Sequence, residues 1–454
     1  MNIIIVGVGK VGYTIAKYLS KEENNITVID TNIEALERVN NNLDVMSIKG
    51  NCTSLRVLNE AGVAEADIVI SVTNSDELNM LCSLAAKRLG AKYTVARVRH
   101  PGYDEDIRLF TEAVGIDLII NPEKATAIEI SKLIKYPSVC SVDDFSNGEV
   151  NLIGFKISDD TNLEGRKISE IEYIKGSILI CGIERDDEFI IPNGDYVFQK
   201  DDRAYIIGAH KDIEGFFKKL GKYKKRVKTA MMIGGGKISY YLSKIITEAG
   251  VSAKIIERNI DKCEELTELL PKSIIINGDG MDEDLLLSES LNDVDSFITL
   301  TDRDEDNLIA GLFAIKKSVD NVITKITRDN YNDIAKTVGI NSTVSPKTVT
   351  ANIIIKYVRS LGCSRKYSIE NIYKICNEKA EAIEFIVDEG TLNINKKFKD
   401  IKFVKNCIIA TIVRKKKIII PSGDDCLHVG DKVIIVQCGA KPLELNEIFI
   451  GGEI

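Results

Sequence analysis

The chain opens on a short apolar run, Ile3, Ile4, Ile5 and Val6, that stops at Gly7-Val8-Gly9-Lys10-Val11-Gly12 and passes into a helical stretch. A second apolar run then ends at Asp30. The same alternation continues: a helix over 32–42, a strand over 44–49 closed by Gly50-Asn51, and a further helix leading to a strand over 67–72. Thr73-Asn74-Ser75-Asp76-Glu77 close that strand. A helix over 78–89, a strand over 93–98, a helix reaching Val114 and a strand over 117–121 follow. Apolar runs of strand length, alternating with helices of 10 to 15 residues, predict a parallel, doubly wound sheet.

The pattern then repeats. Gly7 and Gly9 return as Gly234 and Gly236 and Asp30 as Glu257, each 227 residues on. With one residue inserted, Gly50, Thr73, Asp76 and Asn79 return as Gly278, Thr301, Asp304 and Asn307, and Arg97 as Lys325. Pro122 and Thr126 return as Pro346 and Thr350. Register kept over such a length means two copies of one domain. Each copy trails a smaller segment. Ile190-Ile191-Pro192 with Gly194-Asp195 matches Ile419-Ile420-Pro421 with Gly423-Asp424, and both lead through Asp202 or Asp431 to a short apolar strand. These segments read as small α+β domains in which the Pro-x-Gly-Asp stretch turns between strands.

The fold class is therefore α/β: duplicated Rossmann-like domains with doubly wound parallel sheets, each followed by a small α+β domain. The expected order is 1–138, 139–221, 226–360 and 368–454, with joints near 138–147, 221–228 and 360–368. The middle joint is basic (Lys218, Lys219, Lys222, Lys224, Lys225, Arg226, Lys228). It reads either as a solvated hinge or as a contact for acidic protein loops or an anionic membrane surface.

The glycine stretch carries the chemistry. In a strand–loop–helix setting, Gly7 permits the tight turn, Gly9 lets backbone approach a pyrophosphate, and Gly12 lets the helix pack close to the sheet. The helix start offers free N–H groups and a positive dipole end to phosphate. Asp30 suits a ribose diol and repels a 2′-phosphate. Thr73 and Asn74 fall just past a strand's carboxyl end, where open α/β sheets hold ligands. Arg97 ends the next strand and suits a phosphate.

Composition narrows the class. An apolar share of 44% with 28% charged residues describes a globular protein able to bury several cores. No run is long and apolar enough to span a bilayer, and a chain entering a strand at residue 2 is expected to lack a signal peptide. Ten cysteines without a C-x-x-C pair argue for a reducing cytosol, without disulfides or zinc. A net charge of −8 argues against nucleic acid as a partner.

These motifs together resemble the RCK (KTN) regulators of potassium transport, and in particular the two-repeat, TrkA-type regulatory subunits of Trk potassium uptake systems. The resemblance spans the chain. It rests on the glycine loop, on Val28-Ile29-Asp30-Thr31-Asn32, on Val72 to Glu77 with Asn79-Met80, on Arg97 and Arg99, and on Asn121-Pro122. In the second half Gly234-Gly235-Gly236 and Ile256-Glu257-Arg258 carry it. It implies a non-enzymatic, gating subunit that binds adenine nucleotides, NAD(H) and ATP or ADP. Such a subunit would assemble as a homo-oligomeric ring, a tetramer of this chain, beneath a membrane-embedded potassium channel or transporter. That places it in the cytoplasm, peripheral on the inner face of the membrane. The nucleotide contacts implied are Gly7, Val8, Gly9, Lys10, Val11, Asp30, Thr73, Asn74 and Arg97. Their partners in the second half are Gly234, Gly235, Gly236, Lys237, Ile238, Glu257, Thr301, Asp302 and Lys325.

The second half departs at two positions: Ser239 replaces Gly12, which should hold its helix further off, and Thr327 replaces Arg99. Weaker binding or a different nucleotide preference is expected there. The glycine loop alone would also suit an NAD-dependent oxidoreductase, but hydride transfer needs a positioned acid or base and a substrate domain. His100, His210 and His428 do not recur between the copies, and the small domains lack convergent polar residues. A redox-sensing transcription factor would need a DNA-binding module, for which no segment remains. Cys52 is expected to be a packed residue, Glu123 a carboxylate at a helix start, and Asp282-Glu283-Asp284 a first helical turn, not a metal site. Met80, Leu81 and Leu84 are expected on a buried helix face.

Overall fold

A computed structural model describes the chain except residues 23, 101, 103–114, 136–138, 158–161, 173–175, 187, 221–226, 329, 341, 363–368, 376–378, 440–444 and 451–454. The helix expected to reach Val114, and Lys222, Lys224, Lys225 and Arg226 of the basic joint, lie outside the described residues.

The first half follows the alternation read from the pattern. Strands β1 (Asn2–Val6), β2 (Asn25–Asp30), β3 (Met46–Lys49), β4 (Ile68–Ser71), β5 (Tyr93–Arg97) and β6 (Leu118–Ile120) alternate with helices α1 (Lys10–Leu19), α2 (Ile33–Asn42), α3 (Leu55–Glu60), α4 (Asp76–Leu89) and α5 (Pro122–Lys135). The sheet order is β3-β2-β1-β4-β5-β6, with every pair parallel. β1 and β4 are buried on both faces, which is why they read as unbroken apolar runs. Strand order reverses between them, so a crevice opens at their carboxyl ends, beside Gly7 and Thr73.

A small antiparallel domain follows: β7 (Val139–Phe145), β8 (Val150–Lys156), β9 (Ile178–Arg185), β10 (Glu188–Ile190), β11 (Arg203–Ala209) and α6 (His210–Lys219). Its sheet runs β10-β9-β11-β8-β7. The second half repeats the first. It contains β12 (Thr229–Ile233), α7 (Lys237–Glu248), β13 (Ser252–Glu257), α8 (Ile260–Leu269), β14 (Ser273–Asn277) and α9 (Glu283–Ser288). It continues through β15 (Ser296–Thr299), α10 (Asp304–Lys316), β16 (Asn321–Lys325), α11 (Asn330–Thr337), β17 (Ser342–Val344) and α12 (Pro346–Gly362). The order β14-β13-β12-β15-β16-β17 matches the first sheet strand for strand. The last domain holds β18 (Ile369–Ile375), β19 (Ala380–Ile386), β20 (Cys407–Arg414), β21 (Lys417–Ile419) and β22 (Lys432–Cys438), in the order β18-β19-β22-β20-β21.

Like associates with like. One compact unit comprises Met1–Ser131, Thr229–Lys317 and Ile323–Val358, so it holds both Rossmann-like halves. The other comprises Lys132–Lys228, Ser318–Val322 and Arg359–Ile454, and holds both small domains. Within the first unit, Asn121 of one half donates to the Tyr241 hydroxyl of the other at 2.9 Å. Tyr357, on α12, senses the charges of Asp117 and Tyr93 in the first half, and burial pushes its phenol up to about 12. Within the second unit one core is shared. Phe145, Leu152, Cys181 and Tyr205 of the earlier domain pack with Ala382, Ala410, Ile434 and Val436 of the later one.

Of the three residues expected on the buried face of α4, Met80 packs against Ala96 and Val98 and Leu84 is half-buried, but Leu81 turns outward. Leu81 is 50% exposed, while Asn79, Cys82, Ser83 and Ala86 are buried. Polar residues occupy the inner face because they find partners there: Ser83 donates to the Ser71 hydroxyl and to the Val95 carbonyl at 3.2 and 3.3 Å. A buried polar group is tolerated when it is bonded.

Candidate nucleotide-binding crevices

Two crevices, one per half, are built from the same parts. Gly7 has φ of +89°, and a Cβ there would lie 2.9 Å from the backbone of Thr73. Only glycine makes that turn and that approach. A Cβ on Gly9 would meet nothing within 4 Å, so the side of the loop facing a pyrophosphate is open. A Cβ on Gly12 would fall 1.9 Å from the Gly7 carbonyl oxygen, so helix α1 sits against its own entry loop.

Some helix starts are capped by a side chain, and others, α3, α6 and α10 among them, are not. Asn32, Ser75, Asn259 and Asp282 each accept a backbone N–H at the start of their helices. α1 and α7 start instead at Gly9 and Gly236, with no side-chain cap. Their first N–H groups stay available to an anion, which the dipole favours. Lys10 and Lys237 are exposed at these starts, whereas Val11 and Ile238 are buried.

The acidic residues brace the loops. Asp30 accepts from Val8 N–H at 2.7 Å and from Asn32 N–H at 2.8 Å. Glu257 accepts from Gly235 N–H at 2.6 Å and from Asn259 N–H at 2.9 Å. In each carboxylate both oxygens hold backbone, with lone pairs left over for a ribose diol. The first loop also gains a cation: Arg38 donates to the Val8 carbonyl at 3.0 Å and lies over the Tyr13 ring.

The far wall turns on Asn79, whose role was not read from sequence. Its carbonyl oxygen accepts from Thr73 N–H and hydroxyl at 2.8 and 2.7 Å, and its amide donates to the Arg97 carbonyl at 2.8 Å. Asn307 does the same for Thr301, at 2.9 and 2.8 Å, and for Lys325, at 3.0 Å. The signal was the exact recurrence of this asparagine between the copies.

The cations sit deep. Arg97 is 9% exposed, donates to the Thr73 carbonyl, and keeps a buried Nε without a partner. Burial pulls its pKa down, and Arg99 nearby adds to the effect. Burial also lowers Lys325, while Asp302, 3.5 Å away, opposes that. Arg99 donates to Glu123 at 2.6 Å, a bond that raises its pKa; Asp302 of the second half adds to it. Asn74 and Asp302 are exposed at the loop tips.

The second half forms an open cleft of about 180 Å³. It brings together Gly234, Gly235, Gly236, Glu257, Thr301 and Asp302, while Lys237, Ile238 and Lys325 fall outside its lining. Arg258, Lys262, Asp279, Arg303 and Asp306 add charges that sequence reading did not assign. Asp279, Asp302 and Asp306 replace Asn51, Asn74 and Leu78, and Arg258, Lys262 and Arg303 replace Thr31, Ala35 and Ser75, so the second cleft carries charges of both signs where the first half has uncharged residues. Ser239 is fully buried and donates to the Gly234 carbonyl, which places a hydroxyl where the first half has none.

Other expectations land as follows. Cys52 is 5% exposed in the first core, and a hydrogen bond with Cys82 draws its thiol down while raising that of Cys82. His100 is exposed, with its N–H on Asp76 at 2.9 Å. Asp282 caps α9. Among the described residues no His, Cys, Asp and Glu group is placed to hold a metal ion, and no helix is long and apolar enough to cross a membrane.

Duplicated glycine-loop halves, each trailed by a small antiparallel domain, define a two-repeat protein with the nucleotide-binding fold. The family models agree. The TrkA-N domain matches residues 3–122 and 230–346, and the TrkA-C domain matches 152–221 and 382–436. The chain belongs to the TrkA family of Trk-system potassium uptake proteins. The Trk system potassium uptake protein TrkA homolog 1 of Methanosarcina mazei is 32% identical over 460 residues, covering 99% of this chain and 100% of its own. The Trk system potassium uptake protein TrkA of Halomonas elongata is 32% identical over 442 residues, covering 96% and 95%. Among solved structures, the GsuK RCK domain superposes with a TM-score of 0.63 at 16% identity, over 96% of this chain and 92% of that one. The GsuK channel bound to NAD gives 0.62 at 17%, over 96% and 76%. At such identities these structures establish the shared fold.

Proposed function

We propose that this protein is a cytosolic, nucleotide-binding gating subunit of a Trk-type potassium uptake system. NAD(H), ATP or ADP would bind in the crevices, and the bound state would pass to a membrane-embedded potassium channel or transporter. The carrying observation is the duplicated crevice: open backbone at Gly9 and Gly236, uncapped helix starts, and a bonded carboxylate beside each loop. The unpartnered Nε of Arg97 in the first crevice adds a donor suited to phosphate. Gly7, Val8, Gly9, Lys10 and Val11 would cradle the pyrophosphate, Asp30 the ribose, and Thr73, Asn74 and Arg97 the far side. Gly234, Gly235, Gly236, Lys237, Ile238, Glu257, Thr301, Asp302 and Lys325 are the matching positions.

Ligand touching both the glycine loop and the Thr73 loop stabilises the arrangement that brings them together, which is how binding shifts a conformational equilibrium. A coupling of about 1–3 kcal/mol changes occupancy of the active state several-fold or more. A ring of such chains, a homotetramer peripheral on the inner face of the membrane, would present that change to the partner. Nucleic acid is not among the proposed partners, and no residue is assigned a catalytic role.

Calorimetric titration of the full chain with NADH, NAD, ATP and ADP tests the reading. Gly9→Val should abolish binding at the first site by filling the pyrophosphate approach. Asp30→Ala should weaken it about tenfold or more, with the circular dichroism spectrum kept. Binding at the second site, isolated by Gly9→Val and removed by Gly236→Val, should be weaker or favour another nucleotide. A chain that ignores all four nucleotides, or that consumes NADH against a metabolite, overturns the proposal.

A further inference from the structure

The two small domains carry the same hairpin with opposite charge. β9 turns into β10 through Arg185-Asp186-Asp187-Glu188, with Glu188 paired opposite Arg185. β20 turns into β21 through Arg414-Lys415-Lys416-Lys417, with Lys417 paired opposite Arg414. The arginines are anchored alike: Arg185 bonds Asp202 at 2.7 and 2.8 Å, and Arg414 bonds Asp431 at 2.8 and 2.7 Å. Beyond that shared anchor, the described residues of one turn present the carboxylates of Asp186 and Glu188, and those of the other present the ammonium groups of Lys415, Lys416 and Lys417.

Asp186, Glu188, Lys415, Lys416 and Lys417 are exposed, and none has an ion-pair or side-chain hydrogen-bond partner among the described residues (Asp187 lies outside them). Among the described residues, the two hairpin tips therefore form no ion pair with each other within one chain. Turn chemistry does not explain the lysines either. Lys415 and Lys416 have φ of 48° and 67°, the left-handed region that two-residue hairpin loops fill with Asn, Asp or Gly. Asp186, at φ 48°, meets that preference; two consecutive lysines do not.

We propose that the acidic β9–β10 tip of one chain docks against the basic β20–β21 tip of a second copy. The proposal rests on the homo-oligomer read above and specifies its arrangement. Approach of two acidic tips or two basic tips is repelled, and only the mixed pair is attracted, so the charges select register as well as partner. Because each chain carries both tips, the mixed contact can be used twice across a two-fold axis or once toward each neighbour, and in the second case, when its rotation closes, it generates a ring. An anionic lipid surface would engage the basic tip and leave the matching acidic one without a role. The inverted pair is complete only with another copy of this chain.

Charge exchange tests it on the full-length chain, by sedimentation velocity across micromolar concentrations at about 50 and 500 mM salt. Lys415→Glu, Lys416→Glu and Lys417→Glu together should move the association midpoint to about tenfold higher concentration at low salt. Asp186→Lys with Glu188→Lys should do the same, and combining both sets should restore the wild-type midpoint. Because Glu strains left-handed positions, Lys415→Asn with Lys416→Gly provides a turn-compatible variant that removes charge and must also weaken association. Unchanged association in the reversals overturns the proposal, as does failure of the combined set to restore it. Loss of binding to phosphatidylserine vesicles on Lys→Glu reversal, with association unchanged, overturns it in favour of a lipid surface. A wild-type chain that stays monomeric overturns both this contact and the ring. Nucleotide titration of the same preparation then shows separately whether ligand binding stands.

Discussion

At the residue scale the crevices depend on two buried asparagines, Asn79 and Asn307. Asn79 is fully buried and holds Thr73 against the end of β5 through bonds to Thr73 and to the Arg97 carbonyl. Asn79→Ala strands buried donors and an acceptor, which costs about 1–3 kcal/mol. It should lower the urea midpoint and also weaken nucleotide affinity by releasing the Thr73 loop. Asn79→Asp keeps the acceptor for Thr73 but loses the donor to Arg97, so it should fall between wild type and alanine in both measurements. A full loss of stability without any loss of affinity would contradict the role given to this residue. The glycines and acids were legible because each has one chemical reason to stand where it does. The asparagine was visible only as a recurrence, since its meaning depends on residues 73, 79 and 97 meeting in space.

At the element scale the alternation of strands and helices was plain in the apolar pattern, and so was the duplication. The orientation of α4 was not. Leu81 faces solvent, and Ile309, its counterpart on α10, is 57% exposed. Hydrophobicity alone assigned the leucines inward, but Asn79 and Ser83 win the inner face through bonds that the loops and β5 provide. Leu81→Lys is therefore expected to change unfolding free energy by less than about 0.5 kcal/mol. Ser83→Leu, pressed into that packed and hydrogen-bonded face, should cost about 1–3 kcal/mol or more. Equal effects of the two, measured by denaturant unfolding, would show that the helix is turned the other way.

At the scale of the whole molecule the four segments regroup into two units, halves with halves and small domains with small domains. Cys181 lies in the core that the small domains share, and burial pushes its thiol up to about 12 from the ordinary 9.0. Below about pH 9 the thiol is neutral in both folded and unfolded chains, and its contribution to stability is complete. As pH rises from 9 toward 12 the unfolded chain ionises and the folded one resists, so stability is lost over that window. Cys181→Ala should therefore show a smaller fall in Tm between about pH 8 and 10.5 than wild type, although its Tm at pH 8 is lower. A parallel fall in both proteins would place the alkaline sensitivity elsewhere.

The sequence by itself determined the local grammar: apolar runs of strand length, glycines where backbone must turn or approach, acids at strand ends, and one domain written twice. Those features are local or periodic, and solvent exclusion and backbone sterics impose them whatever lies around. Only the tertiary structure decided which polar groups are spent on one another. It gave Asp30 and Glu257 to their loops, Asn79 and Asn307 to the far wall, and Arg185 and Arg414 to their own carboxylates, while Lys415 and Lys416 were left unspent. Hydrogen bonds and ion pairs are satisfied by whatever the fold brings within about 3 Å, and that adjacency is a property of the packed chain, not of its order.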